Sequence, residues 1–477
     1  MKPLNLLFFA TLLSNLVGIS FATAADSKRP NVVILLADDL GYGEIQHLNP
    51  SRGKIATPNL DALAKSGMVF TDAHSASAVC TPTRYALLTG RYAWRTKLQS
   101  GVLTGGESLI AKNRLTLAKM MKAQGYHTNM IGKWHLGMLF DGKFDDSSKL
   151  AVGAKATSGP VDRGGFDEFT GFHHARQMNL LIKNDQIIEK LTPIEMLPKI
   201  TQAAVDYIDS RKDNEQPFFL YVPWNSPHSP VAPTKEWQGK SGLNAHADFV
   251  MQTDDSVGQV ISALKRNGLL DNTLVISSAD NGTSARTADM SLLNAKGHYP
   301  SGDLRGAKAD TWDGGHRVHF FASWPEVIKA HSTSNELISL NDIFTTLADV
   351  LDVNLGDSAA VDSFSFAPII TGQGHSRREN AIHHSVLGKF AIRHGKWKLI
   401  LASGSGGWTK PISQQGIQSQ LYNMETDIAE QINLANKMPE KVQELTQLIQ
   451  KQVAAGRSTH GSKQSNAVAV DIFKKHI

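Results

Sequence analysis

Cysteine is almost missing from this chain: among 477 residues there is one, Cys80. No internal disulfide can form, so a disulfide-stapled scaffold is excluded. Long runs of one charge are missing too. The 49 Lys and Arg and 44 Asp and Glu are scattered, and the net charge is only +5. Without a basic stripe, nucleic acid is not an expected partner; a mild positive field favours an anionic substrate. No internal repeat or low-complexity tract is present, and past the N-terminus no apolar run is long enough to cross a bilayer. With 41% hydrophobic and 19% charged residues the composition is that of a folded globular protein. The length suits a large domain with a smaller one.

The N-terminus reads as a leader. Lys2 precedes an apolar run over residues 4–21, interrupted by Ser14 and Asn15, and Ala22-Thr23-Ala24 supplies small residues in an A-x-A pattern. This predicts a cleavable signal over residues 1–24, a secreted or periplasmic protein and no membrane span in the mature chain.

Beyond it, short β-branched runs alternate with amphipathic stretches. In residues 31–37 Asn31 opens an unbroken apolar run from Val32 to Ala37, as in a central strand buried on both faces, and Asp38-Asp39 stops it. Thr57-Pro58 opens a helix that Gly67 closes. Strands are predicted over 68–73, 127–131, 218–222 and 273–278, and helices over 83–89, 116–124 and 245–267. Such alternation predicts an α/β fold with a large, mainly parallel or mixed sheet flanked by helices. After residue 375 the texture changes to short strands (381–386, 390–393, 396–401) and a helix carrying Val442, Leu445, Leu448 and Ile449. This predicts a catalytic domain over 25–375 and a smaller α+β subdomain over 376–477, built on a short antiparallel sheet, with a loose tail from about residue 458.

Ligands gather at the carboxyl ends of strands in such sheets. Asp38 and Asp39 follow one strand, Asp280 and Asn281 a second, Lys133 and His135 a third, and His228 a fourth. These seven side chains can meet at one rim. Lys133 and His135, two apart, would share a strand face. Three carboxylates and an amide oxygen form an all-oxygen set for a hard cation such as Ca²⁺ or Mg²⁺, and without one the acids would repel. Asn281-Gly282-Thr283 is also a glycosylation sequon, read here as accidental because a glycan would block the rim. In Cys80-Thr81-Pro82-Thr83-Arg84 the cysteine stands just before a predicted helix, where backbone N–H groups favour an anion. Arg84 can fork onto a sulfuryl or phosphoryl oxygen. His173, His174 and Arg176 could touch a leaving group, although a solvated loop is the simpler expectation for them.

These segments resemble the type I sulfatases of the alkaline phosphatase superfamily. The resemblance runs from Pro30 to about residue 440. It is carried by C-x-P-S/T-R at Cys80–Arg84, residues 31–43, Gly132-Lys133-Trp134-His135-Leu136-Gly137, Ser226-Pro227-His228, Asp280-Asn281-Gly282, and Arg305-Gly306-Ala307-Lys308 running on to Trp312-Asp313-Gly314-Gly315. Ala307, Asp313 and Thr83 depart from the commoner glycine, glutamate and serine. The resemblance implies one Ca²⁺ held by Asp38, Asp39, Asp280, Asn281 and the modified residue 80. It also implies that a maturation enzyme oxidises Cys80 to formylglycine (3-oxoalanine). The hydrated aldehyde has two hydroxyls: one attacks sulfur, and the second lets the aldehyde re-form and expel sulfate. Lys133 and Lys308 would hold sulfate oxygens, His228 or Lys308 would protonate the leaving alcohol, and His135 would take the later proton. The implied activity is hydrolysis of sulfate monoesters, of sulfated carbohydrates or aryl sulfates. The rivals are a phosphonate or phosphodiester hydrolase on the same fold and an inactive sulfated-glycan-binding protein.

Overall fold

In a computed structural model of the protein, residues 29–140, 150–411, 415–416 and 418–474 are described. The expected leader over 1–24 lies outside them. A ten-stranded sheet runs in the order Ser332–Ser334, Met68–Phe70, Phe320–Ser323, Thr273–Ala279, Asn31–Asp38, Phe218–Pro227, His127–Lys133, Glu168–Phe172, Leu180–Lys183, Gln186–Lys190. The middle strands, from Thr273–Ala279 across to Glu168–Phe172, are mutually parallel. Antiparallel pairs flank them on both sides. This is the expected α/β sheet, in its mixed form.

Val32, Val33, Ile34, Leu35 and Leu36 are all fully buried, because helices cover both sheet faces. Each such side chain contributes about 1.5–3 kcal/mol. The helices Pro193–Asp209 and Ala245–Arg266 lie on each other and on the strand Phe218–Pro227.

The C-terminal strands Asn380–His384, Phe390–His394, Trp397–Ile400 and Gln420–Asn423 form an antiparallel four-stranded sheet followed by the helix Pro439–Ala455. Tyr92, Trp94, Phe390, Ile392, Leu445 and Ile449 share one apolar cluster, which joins this unit to the segment just after Cys80–Thr89.

The tail expected to be loose is tied down instead. Arg91 Nη2 donates to Ser465 O at 3.1 Å, Ala467 N donates to Arg95 O at 2.7 Å, and Arg95 Nη1 donates to Asn466 Oδ1 at 3.1 Å. Its polar composition hides these partners, which lie far away in sequence. The anchor is the fully buried Arg95–Asp362 pair: Nε and Nη2 donate to the two carboxylate oxygens at 2.8 Å each. Tyr92 N and Ser458 Oγ also donate to Asp362, at 2.9 and 2.7 Å. Asp362→Ala would leave Arg95 buried and uncompensated. It is expected to cost about 3–5 kcal/mol of stability, read by denaturant unfolding, and to expose the tail to proteolysis.

Candidate active site

The middle strands deliver their carboxyl ends to one rim. Asp38 and Lys133 are the last residues of their strands, Asp280 follows Thr273–Ala279 directly, and His228 follows Phe218–Pro227. Cys80 begins the helix Cys80–Thr89 itself, three residues earlier than expected. Pro82 lacks an N–H, and the first turn is where a helix tolerates that.

The residues meet. The Cys80 thiol donates to Asp38 Oδ1 at 3.5 Å, and Lys308 Nζ stands 3.5 Å from Cys80 Sγ. Lys308 Nζ also donates to Asp39 Oδ1 at 2.5 Å, and Lys133 Nζ donates to Asp38 Oδ2. Arg84 donates from Nε and Nη2 to Asp280 Oδ2 at 3.0 and 2.8 Å, and from Nη1 to the Lys133 carbonyl at 2.9 Å. Asp39 N donates to Asp280 Oδ1 at 3.2 Å, and Asn281 Nδ2 donates to Asp39 Oδ1 at 2.8 Å. Ligand-type atoms of Asp38, Asp39, Cys80 and His228 lie within 4.8 Å of one another. Asp280 stands behind this group, turned toward Arg84.

Cys80 is 1% exposed, but it belongs to no apolar cluster among the described residues. Its neighbours are charged, and near it His228 keeps 17% side-chain exposure. Asp39 and His135 adopt left-handed backbone, φ 68° and 57°. Such conformations in non-glycine residues concentrate at functional sites. His135 therefore does not continue the strand face of Lys133: the strand ends at Lys133, and from its left-handed backbone the ring reaches the Leu103 carbonyl. Gly282 explains the Asn-Gly pair: an added Cβ would stand 1.9 Å from the Gly314 carbonyl oxygen, so glycine lets the Asn281 loop close on that segment. Asn281 is fully buried.

Burial raises the Asp38 carboxyl, but Lys133, His228, Arg84 and Lys308 together outweigh it and hold it well below the carboxylate range. Burial and then the Asp38 charge push Asp280 up to about 6. Asp280, raised by burial and by the Asp38 charge, is the carboxylate that a further cation would relieve. The buried Asn281 Oδ1 has no hydrogen-bond partner. The oxygen-rich donor set and that orphaned oxygen fit a hard dication. Burial, then the Asp280 charge, drive the Cys80 thiol far up, so as a plain thiol it is a poor nucleophile.

His135 Nε2 donates to the Leu103 carbonyl at 2.9 Å, while Nδ1 is buried without a partner. Burial, Lys133 and Arg84 hold the ring well below its usual pKa, so it is neutral with an open lone pair. His228 Nδ1 donates to Ser229 O at 2.5 Å, leaving Nε2 3.8 Å from Asp39 Oδ2. His173 and His174 are buried rather than on a solvated loop. His173 Nδ1 bonds Gln177 Oε1 at 2.8 Å, and the His174 ring lies 5.9 Å from that of His135. The Arg176 side chain lies outside the described residues.

Sequence reasoning missed Glu44. Its Oε2 accepts from Gly41 N at 2.8 Å and Thr283 Oγ1 at 2.7 Å, and Oε1 bonds His246 Nε2 at 2.5 Å. It ties the Asp38-Asp39 loop to the Asp280-Asn281 loop. An acid following Asp39 in the glycine-rich turn Gly41–Gly43 was the available signal.

Comparisons with known proteins show which family the chain resembles. The Sulfatase family model matches residues 30–353. An N-acetylgalactosamine-6-O-sulfatase of Bacteroides thetaiotaomicron is 31% identical, over 89% of this chain and 93% of its own. Human arylsulfatase A is 32% identical, over 90% of this chain and 88% of its own. A solved structure described under glycosaminoglycan metabolism by Bacteroides thetaiotaomicron superposes with a TM-score of 0.80 at 28% identity, covering 89% of this chain and 99% of that one.

Proposed function

This chain belongs to the sulfatase family, whose members are sulfuric ester hydrolases, and on that premise we propose that it hydrolyses sulfate monoesters of sulfated carbohydrates through residue 80. The observation that carries the reading is the buried Cys80 thiol set between Asp38 and Lys308, with Arg84 and Asp280 behind it. Ca²⁺ at Asp38, Asp39, Asp280 and Asn281 would offset their charge and polarise a sulfate oxygen, and formylglycine at residue 80 would supply a hydrated aldehyde as nucleophile.

The chain's own residues do the rest. Lys133 and Lys308 hold sulfate oxygens and offset the charge that develops as the ester bond breaks. Arg84, braced by Asp280, orients residue 80. The leaving alcohol takes its proton from His228 or Lys308. His228 already gives its Nδ1 proton to the Ser229 carbonyl, so it acts as an acid from Nε2 only when doubly protonated, with Asp39 facing that charge. His135 Nδ1, neutral and open, receives the later proton. His173, His174 and Arg176 are assigned to the leaving-group sugar.

The leader over 1–24 would route the protein to the periplasm or outside the cell, after a maturation enzyme has oxidised Cys80. Among the described residues no helix is long and apolar enough to cross a membrane. Residues 25–375 would form the catalytic domain and 376–477 the subdomain. The test combines mass spectrometry of the tryptic peptide holding Cys80 with rates on an aryl sulfate, a sulfated glycan fragment and an aryl phosphodiester. The expected results are an aldehyde at residue 80 and preference for the sulfates. An unmodified thiol in active enzyme, or faster phosphodiester cleavage, would overturn the reading.

A further inference from the structure

A second cluster lies beneath the Cys80 loop. His74 ends the short strand Ala73–His74, His316 ends the helix Asp313–His316, and His383 lies on the C-terminal strand Asn380–His384. All three rings are fully buried, and one nitrogen from each lies within 4.8 Å of the others.

Their partners fix where the protons sit. His74 Nε2 lies 2.9 Å from Asp72 Oδ1, His316 Nε2 3.0 Å from the Thr311 carbonyl, and His383 Nδ1 3.3 Å from the Ser75 carbonyl. Those oxygens only accept, so His74 Nε2 and His383 Nδ1 carry the hydrogen, and His316 Nε2 carries it when it serves Thr311 rather than accepting from Lys398 Nζ at 3.2 Å. A neutral ring with its hydrogen there has one lone pair left on its other nitrogen. His74 Nδ1 and His316 Nδ1 face each other at 3.0 Å, and in the tautomer with the His316 proton on Nε2 both present lone pairs. His383 Nε2 is buried with no hydrogen-bond partner. Converging imidazole lone pairs, each backed by an oxygen on the ring's other nitrogen, are the arrangement of histidine ligands around a transition metal.

We propose that His74, His316 and His383 bind one divalent transition-metal ion, best suited to Zn²⁺, which pins the C-terminal sheet to the strand Ala73–His74 and the helix Asp313–His316 below residue 80. An all-nitrogen set selects such an ion over Ca²⁺. Neutral imidazoles need lose no proton to bind it. The His316 and His383 rings are stacked, with centroids 3.9 Å apart and planes 12° from parallel, so binding one ion requires a ring rotation that brings both in-plane lone pairs onto it. The metal-free alternative runs through Lys398, whose Nζ is 3.2 Å from His316 Nε2. Lys398 would donate there, and His316 would pass its proton from Nδ1 toward His74.

The test uses full-length protein grown with zinc and crystallised after EDTA treatment. Anomalous difference maps at the zinc edge are expected to show a peak among the three rings, distinct from any peak at Asp38 and Asp39. His383→Leu, which removes one lone pair at similar volume, is expected to lose that peak and the matching zinc by elemental analysis. No peak among the rings of the wild type, or a peak unchanged in His383→Leu, overturns the site. If that variant does not fold, the wild-type map decides alone.

Discussion

Cys80→Ser is expected to abolish multiple turnover of an aryl sulfate while leaving the unfolding transition where it was. Serine is close to cysteine in size, and its hydroxyl can make the same donation to Asp38 that the thiol makes at 3.5 Å. The helix start, the Arg84–Asp280 pair and the lysines keep their partners, so packing is conserved. What is lost is chemical. A serine ester has no second hydroxyl on the same carbon, so once sulfated it cannot expel sulfate by re-forming a carbonyl. The loss in kcat should be at least about 10³-fold, about 4 kcal/mol of barrier. One equivalent of alcohol released without further cycles would mark attack without release. Steady turnover within about tenfold of wild type would show that the reaction never used the aldehyde.

The parts of this site legible in the sequence are those set by local chemistry. The β-branched run over 31–37 could only be a doubly covered strand, and its abrupt end at Asp38-Asp39 announced a rim. The observed strand Asn31–Asp38 ends there. The Cys80–Arg84 motif and Asp280-Asn281 were legible because each lies against a helix start or strand end that local patterning marks. Pairings across the chain were not. Glu44 meets His246 over a separation of 202 residues, and nothing near either announces the other. His135 follows its strand in a left-handed conformation that no side-chain periodicity encodes. The strands Glu168–Phe172, Leu180–Lys183 and Gln186–Lys190, at one end of the sheet order, were missed for another reason: they are short, and polar residues interrupt their apolar pattern. His74, His316 and His383 come from three distant segments, and only tertiary contact turns them into a group.

Asp280 separates structure from catalysis by substitution. It accepts two donations from Arg84 and one from the Asp39 backbone, all fully buried. Asp280→Ala would strand the Arg84 guanidinium, leaving only Asp38 at 3.6 Å to balance it. An uncompensated buried charge costs about 3–5 kcal/mol, a large share of the roughly 5–15 kcal/mol that holds a domain together. The alanine variant should therefore unfold earlier in denaturant and be inactive as well. Asp280→Asn keeps shape and an acceptor for Arg84 but removes the charge. It should recover most of the stability while turnover stays at least about 10²-fold down, because a carboxylate beside a dication is worth more than an amide. If the asparagine variant turns over like wild type, Asp280 only braces Arg84. If the alanine variant is as stable as wild type, Arg84 has other support and the buried pair is not what holds residue 80 in place.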